Sequence, residues 1–543
     1  MQTSAGRLAT PWLGRIGQAA LVLAPAAWAL AAWDPRTRAL LLNSLFLVTA
    51  VCLLAVPLGT GLALLLVRTD LPGRRWLAAV FASLLFIPLY LQAGAWQAGF
   101  GLQGWHTLGA ENGIIWLEGW RGAIWVHALA SLPWVMAIVA AGCWFVEPEL
   151  EELALLSMPV PRVIWSVTLR RAAPAIAVAT LWVAVMTAGE MTVTDLFLVR
   201  TYTEELFTQI ATGTDLGETP LTVLPGIAVT CGLVAAAISL AQRVAQPPLP
   251  RVRARCTFAL GRWRWLYALL VVLIALVVVG VPLGNLFWKA GVQVSLTAEG
   301  RVREWSAMHC WEMLLGRVMG GDGVARFPYW RYLSWSLRVA ALATLTALAV
   351  AIPLAWHARR GGWRAVPMLL TLGLTMGMPG PVVGVSIMTL LNRPELPWLT
   401  ELYDRSILPL WLAQTFRALP LTILILWHAL RGIPEQILES ARLDGILGPR
   451  QWWLIVLPQR WWAVAAAALT AFVWSMAELD ASFLVAPPGI ETLSIHVFNQ
   501  LHFGAEDRVA GLCLVMWGSY CLLAMIFQRL VVPRLLRKAP QAS

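Results

Sequence analysis

Charge is scarce in this chain. Of 543 residues, 13% are Asp, Glu, Lys or Arg, against about a quarter in an ordinary soluble domain. Lysine is nearly missing: Lys289 and Lys538 are the only two, so the net charge of +11 rests on arginine. That bears on nucleotide binding. A phosphate-cradling loop needs Gly-x4-Gly-Lys-Ser/Thr, but Lys289 is followed by Ala290 and Lys538 by Ala539. Neither is such a lysine, so ATP binding of that kind is excluded. The seven cysteines form no Cys-x-x-Cys pair, and Cys52, Cys143, Cys231, Cys513 and Cys521 sit inside apolar runs. No zinc site or disulfide framework is readable, and the expectation is no metal and no cofactor. No Ser/His/Asp set or paired carboxylate stands out in a loop, so nothing points to an enzyme. The arginines lie between apolar runs rather than on one patch, which argues against nucleic acid and for a bilayer partner.

Apolar sequence is abundant. The hydrophobic share is 59% and the mean hydropathy is +0.70, which indicates an integral membrane protein. A helix needs about 20 apolar residues to cross the hydrocarbon. Candidate spans are 16–33, 39–67, 76–100, 121–146, 172–199, 220–242, 265–288, 332–356, 365–391, 408–430, 461–486 and 508–530. Backbone groups find no water in lipid, so an all-α fold with about 12 transmembrane helices is expected. Arg7 and Arg15 precede the first run like a signal sequence, and further spans follow, so it reads as an uncleaved helix.

Sidedness follows from arginine. Segments 1–15, 68–75, 147–171, 243–264, 357–364, 431–460 and 529–543 together hold 25 of the 40 Arg and Lys. The opposite side holds 13, counting Arg121 and Arg508 at the edges of their spans, six of them in the long loop 289–331. Long loops translocate largely regardless of charge. Both termini are therefore expected in the cytoplasm of a bacterial cell, with the chain in its inner membrane.

The chain also repeats itself. Pro161-Arg-Val-Ile-Trp165 is matched 288 residues later by Pro449-Arg-Gln-Trp-Trp453. At the same offset Glu190 matches Glu478 and Leu169 matches Leu457, while Pro133 and Pro420 are 287 apart. Two parallel six-helix repeats are expected, 1–243 and 265–543, joined by a cytoplasmic linker, 244–264, that begins with the Pro-rich Gln246–Pro250.

Each half carries a hydrophilic loop between its fourth and fifth spans. The second, within 431–460, reads Gly432-Ile-Pro-Glu-Gln-Ile-Leu-Glu-Ser-Ala-Arg-Leu-Asp-Gly445 and then continues to Pro458. Pro434 suits the first turn of a helix. Ile437, Leu438 and Ala441 share one face, and Glu435, Glu439 and Arg442 share another with spacings that pair. Gly445 can take a positive φ and stop the helix. Gly448-Pro449 then starts a second short helix, expected to end at Leu457-Pro458. Trp452-Trp453 and Trp461-Trp462 flank this loop as interface anchors. In isolation, such a helix reads as an amphipathic helix lying on lipid.

Glu439-x-Ala441-x-x-Asp444-Gly445, followed by Ile455-x-Leu457-Pro458, resembles the "EAA" loop of ABC-importer permeases. The first loop, within 147–171, holds a weaker copy. It has Glu152-x-Ala154, then Ser157 or Met158 where Gly is expected, and Val167-x-Leu169-Arg170 where the family has Ile-x-Leu-Pro. The resemblance covers two permease units in tandem, most like the fused permeases of ferric-iron and thiamine importers. It implies that both loops couple to a separate ABC ATPase, two copies of which dock on the cytoplasmic face. It also implies a periplasmic substrate-binding protein on the other face. The implied function is transport of a small solute by alternating access, with ferric iron the first expectation and thiamine the second. An ion-gradient-driven secondary transporter is the rival reading; it has no need of paired loops.

Ionisable side chains within spans are costly and often functional. Glu190, Glu478 and Asp480 are candidates for a path or gate; the alternative is a hydrogen-bonded site that shapes its span. Arg338 and Arg417 read as snorkelling to the interface. His127 and His428 read as structural with no evident partner, and His496 and His502 as exposed loop residues.

Overall fold

The computed structural model describes residues 35–102, 104–109, 115–144, 146–211, 257–297, 300–315, 318–319, 325–326, 329–393, 395–502 and 507–530. The expected spans 16–33 and 220–242, and most of the linker, lie outside the described residues. Among the described residues, eight helices are long and apolar enough to cross a bilayer, or ten if two bent helix pairs each count as one span. The protein is all-α, and among the described residues strands form two small hairpins, the larger pairing Val292–Thr297 with Gly300–Trp305.

The helices follow in two series. The first is α1 Pro35–Arg68, α2 Arg74–Ser83, α3 Leu89–Phe100, α4 Gly119–Trp144, α5 Pro148–Leu155, α6 Leu169–Ala188 and α7 Thr192–Leu196. Next come α8 Arg264–Ala275 and α9 Val281–Gly291, joined by a π turn at Leu276–Gly280. The second series is α10 Trp330–Ala358, α11 Val366–Gly377, α12 Gly380–Leu391, α13 Leu408–Arg431, α14 Glu435–Leu443, α15 Leu457–Ala477, α16 Ser482–Val485, α17 Leu493–His502 and α18 Asp507–Leu530.

Two three-helix packings recur. Helices α1, α4 and α6 all touch one another, and so do α10, α13 and α15. Small residues make the close approach possible, since lipid offers no hydrophobic drive between helices. On α10, Ala340, Ala343, Ala347, Ala351 and Ala355 form a buried stripe at three- and four-residue spacing, whereas Leu337 and Leu345 face outward. At Gly59 a side chain has no room: its Cβ would stand 2.6 Å from that of Val135 on α4.

Four expected spans are interrupted. The stretches 76–100 and 365–391, each expected as one span, bend by 104° at Pro88 and at Pro379. The cause is local: Ile87 and Met378, each preceding a proline, adopt extended ψ values of 119° and 118°. The stretches 172–199 and 461–486 stop as regular helix at Ala188 and Ala477. Glu190 and Glu478 therefore lie beyond the long helices, in the breaks that follow them.

The spans expected at 172–199 and 461–486 begin earlier than expected. The second short helix does not end at Leu457-Pro458. Pro449–Gln451 runs through a π turn, Trp452–Val456, straight into α15. The Leu457 N–H reaches back five residues to the Trp452 carbonyl, and Pro458 is accommodated in this shifted register because it has no N–H to place. In the first series Val160–Val163, a π turn at Ile164–Thr168 and α6 do the same.

Candidate functional site: paired elbows and a central cavity

The two hydrophilic loops are built alike. Each is a short helix, a turn, a second short helix and a π turn feeding a long span. The π turns begin at Ile164 and Trp452, 288 residues apart. In the second elbow α14 starts after Pro434, and Gly445 takes φ +77° where the helix ends. The Ile446 N–H closes the turn on the Ala441 carbonyl at 2.9 Å. Leu438 and Ala441 are buried, while Glu439, Asp444 and Gly445 are exposed. Downstream, Pro458 is exposed and Ile455 and Leu457 are half-buried.

Its acidic face is held by cations from two elements. Glu435 lies 3.4 Å from Arg359 and 3.5 Å from Arg360 at the end of α10, and 3.9 Å from Arg442. The amide of Gln451 donates to the Leu438 carbonyl at 2.8 Å and ties the two short helices together.

The first elbow keeps the plan and changes the details. Glu152 and Ser157 are exposed, Ala154 is buried and Leu169 is half-buried. No residue here takes a positive φ. The Met158 N–H instead bonds the Ala154 carbonyl at 2.9 Å, and Pro159 turns the chain into Val160–Val163. The turn is one residue shorter than its counterpart: four residues separate Leu155 from Val160, and five separate Leu443 from Pro449. Beneath this elbow, Glu151 and Arg68 form an ion pair at 0% and 1% side-chain exposure, and Thr168 Oγ1 donates to the second Glu151 oxygen at 2.6 Å.

Between the series lies a cavity of about 430 Å³, lined by parts of α1, α4, α6 and α15 and by both Pro-bent hairpins. Glu190, Glu478, Asp480, His127 and Arg417 all line it. The two glutamates cap the short helices that follow them. Glu190 accepts from the Val193 N–H at 3.0 and 3.1 Å, and His127 Nε2 stands 3.1 Å from it. Glu478 accepts from the N–H groups of Ala481 at 2.8 Å and Ser482 at 3.0 Å, and from the Ser482 hydroxyl. Thr192 donates to Asp480 at 2.8 Å, and these two residues are themselves 288 apart. Arg417 faces Asp480 at 3.8 Å.

Four expectations change here. His127 has a partner, Arg417 turns to the cavity rather than to the interface, His502 pairs with Asp195 at 2.9 Å, and His496 lies on α17 rather than in an exposed loop. Sequence reasoning had no signal for these contacts, because each joins residues distant in the chain. His496 is partly covered, 3.5 Å from Glu491 and stacked on Tyr332 with ring centroids 4.0 Å apart. Among the described residues no group of three His, Cys, Asp or Glu is placed to hold a metal.

The His502–Asp195 pair links α17 to α7, and His502 lies outside the candidate spans. The hydrogen bond to Asp195 raises the His502 pKa against the opposing effect of burial. A raised folded-state value means the pair stabilises fully below the unfolded value of about 6.5 and loses that contribution as pH rises through the folded value. Thermal unfolding in detergent across pH 5 to 9 should show a stability difference between the wild type and His502→Asn that shrinks as pH rises. A difference that grows with pH would contradict the pairing.

Residues 335–537 match the family model described as binding-protein-dependent transport system inner membrane component. The putrescine transport system permease protein PotI of Escherichia coli is 25% identical over 197 residues, covering 35% of this chain and 68% of PotI. The molybdenum transport system permease protein ModB of Escherichia coli is 29% identical over 188 residues, or 33% of this chain and 82% of ModB. The alpha-glucoside transport system permease protein AglG of Rhizobium meliloti is 27% identical over 176 residues, covering 32% of this chain and 45% of AglG. These relatives are named for putrescine, molybdenum and alpha-glucoside transport, so the expectation of iron finds no support among them. Residues 335–537 are therefore similar to the inner membrane components of binding-protein-dependent transport systems.

Proposed function

We propose that the chain supplies both permease halves of an ABC importer, residues 1–243 and 265–543, joined through 244–264. The observation that carries this reading is the pair of elbows with the same build and with π turns 288 residues apart. A separate ATPase subunit docks at each elbow on the cytoplasmic face, where both termini also lie. A periplasmic binding protein delivers a small solute to the opposite face. Residues Glu439, Ala441, Asp444, Gly445, Ile455, Leu457 and Pro458 transmit the ATPase motion in the second half. Glu152, Ala154, Ser157 and Leu169 do so in the first. Each elbow is continuous with a fifth span, so its motion reaches the breaks at Glu190 and Glu478 and rocks the cavity between two accessible states. Glu190, Glu478 and Asp480 shape the path. A secondary transporter would have no use for two such elbows.

The test replaces Gly445 by Val and Glu439 by Ala and asks whether the co-expressed ATPase still copurifies. Valine at φ +77° costs about 1–3 kcal/mol of strain. Copurified ATPase should therefore fall by about tenfold for Gly445→Val, and by less for Glu439→Ala, whose side chain is exposed and for which the structure shows no ion pair. Undiminished ATPase capture by both variants would sink the reading.

A further inference from the structure

The first elbow contains a residue that belongs to neither of its helices. Phe258, from the connector between the two series, is 2% exposed and packs with Ala154, Val163 and Ile164 as the centre of a small apolar cluster. Its backbone is also fixed. The Phe258 N–H donates to the Arg68 carbonyl at 2.8 Å, and the Asp70 N–H donates to the Phe258 carbonyl at 3.3 Å. The Leu260 N–H donates to Asp70 Oδ1 at 2.8 Å. The connector is thus pinned as a single β-bridge beside Thr69.

The second elbow needs no such insert. Its Leu438 and Val456 belong to one cluster with Ala358, Ala365 and Met368 of its own half. The position 287 residues before Leu438 is Glu151, a carboxylate paired with Arg68. Where the second elbow has an apolar anchor, the first has a charge, and Phe258 fills the apolar space. Six residues after Phe258, α8 begins at Arg264. It packs on α2, and its continuation α9 packs on α3 and on α18.

We propose that residues 257–260 form a strap completing the first elbow, with Phe258 a positioning residue for energy transmission. Motion at the first elbow then passes through the strap to α8 as well as through α6 to the cavity, so one elbow drives helices of both halves. This rests on the ABC-importer reading above.

The test uses the full chain in nanodiscs with its co-expressed ATPase and its binding protein as purified. Phe258→Ala should raise amide exchange over 148–158 while leaving 435–445 unchanged. It should also cut the stimulation of ATP hydrolysis by the binding protein about fivefold, at the low end of linkage between distant sites. The basal rate and the amount of bound ATPase should hold. Phe258→Leu, which refills the cluster, should restore stimulation. Asp70→Ala removes the acceptor of Leu260 at an exposed position and should give a smaller loss of the same kind; it decides the matter if Phe258→Ala does not fold. Full stimulation in whichever of these variants folds, or a loss that Phe258→Leu does not repair, overturns the strap. Failure of the wild type itself to bind the ATPase would instead overturn the importer reading.

Discussion

Replacing Arg68 by Met should destabilise the protein by about 3–5 kcal/mol, the cost of breaking a fully buried ion pair from one side. Glu151 would be left at 0% exposure without its cation, with the Thr168 hydroxyl still donating to it. Arg68 also ends α1, and its carbonyl receives the Phe258 N–H, so the change strikes the point where α1, the elbow and the connector meet. The double variant Arg68→Met, Glu151→Leu removes both charges. It should regain most of the loss, because apolar replacement of a buried pair is often close to neutral. Thermal unfolding in detergent reads both effects. A single variant as stable as the wild type would mean that the pair is hydrated in the folded protein.

The same residues show how far sequence carries. The second elbow was legible because its punctuation is local: Pro434 starts a helix and Gly445 stops it with a positive φ. The long spans were legible from apolar length, and those within the described residues all have a helix or a bent pair. The bends at Pro88 and Pro379 escaped hydropathy, which counts apolar residues and is blind to direction, although the prolines themselves marked the places. The π turns escaped because they follow from register and not from composition. Phe258 was hidden for a different reason. A lone aromatic in a basic, Pro-rich connector has no periodic partner, and its burial depends on a pocket made by residues about a hundred positions earlier. The cavity was half legible. The repeat offset paired Glu190 with Glu478, but that Thr192 reaches Asp480 across the same offset of 288 needed the packing of both series.

That symmetry leads to the second large effect. Glu478→Ala should remove two backbone hydrogen bonds to a charged acceptor, those from Ala481 and Ser482, each worth about 1.5–3 kcal/mol. The freed segment carries α16; Asp480 at its start leaves no space for a side chain at Gly380 of α12, and Leu484 and Ala481 lie tightly against Gly384. Loss of the cap should therefore loosen the wall of the cavity, lower thermal stability and abolish binding-protein-stimulated ATP hydrolysis together. Glu478→Gln separates this role from recognition of a passing solute. The amide oxygen still accepts a hydrogen bond, so a capping role predicts that Gln recovers much of the stability and stimulation lost with Ala. If Glu478 acts instead through its charge on the path, Gln should stay stable yet fail as badly as Ala in function. Glu190→Ala should behave like Glu478→Ala with a smaller fall, because Glu190 caps through the single Val193 N–H and its other neighbour is the His127 ring. Unequal caps at equivalent breaks imply that the two halves, though built alike, open with unequal ease.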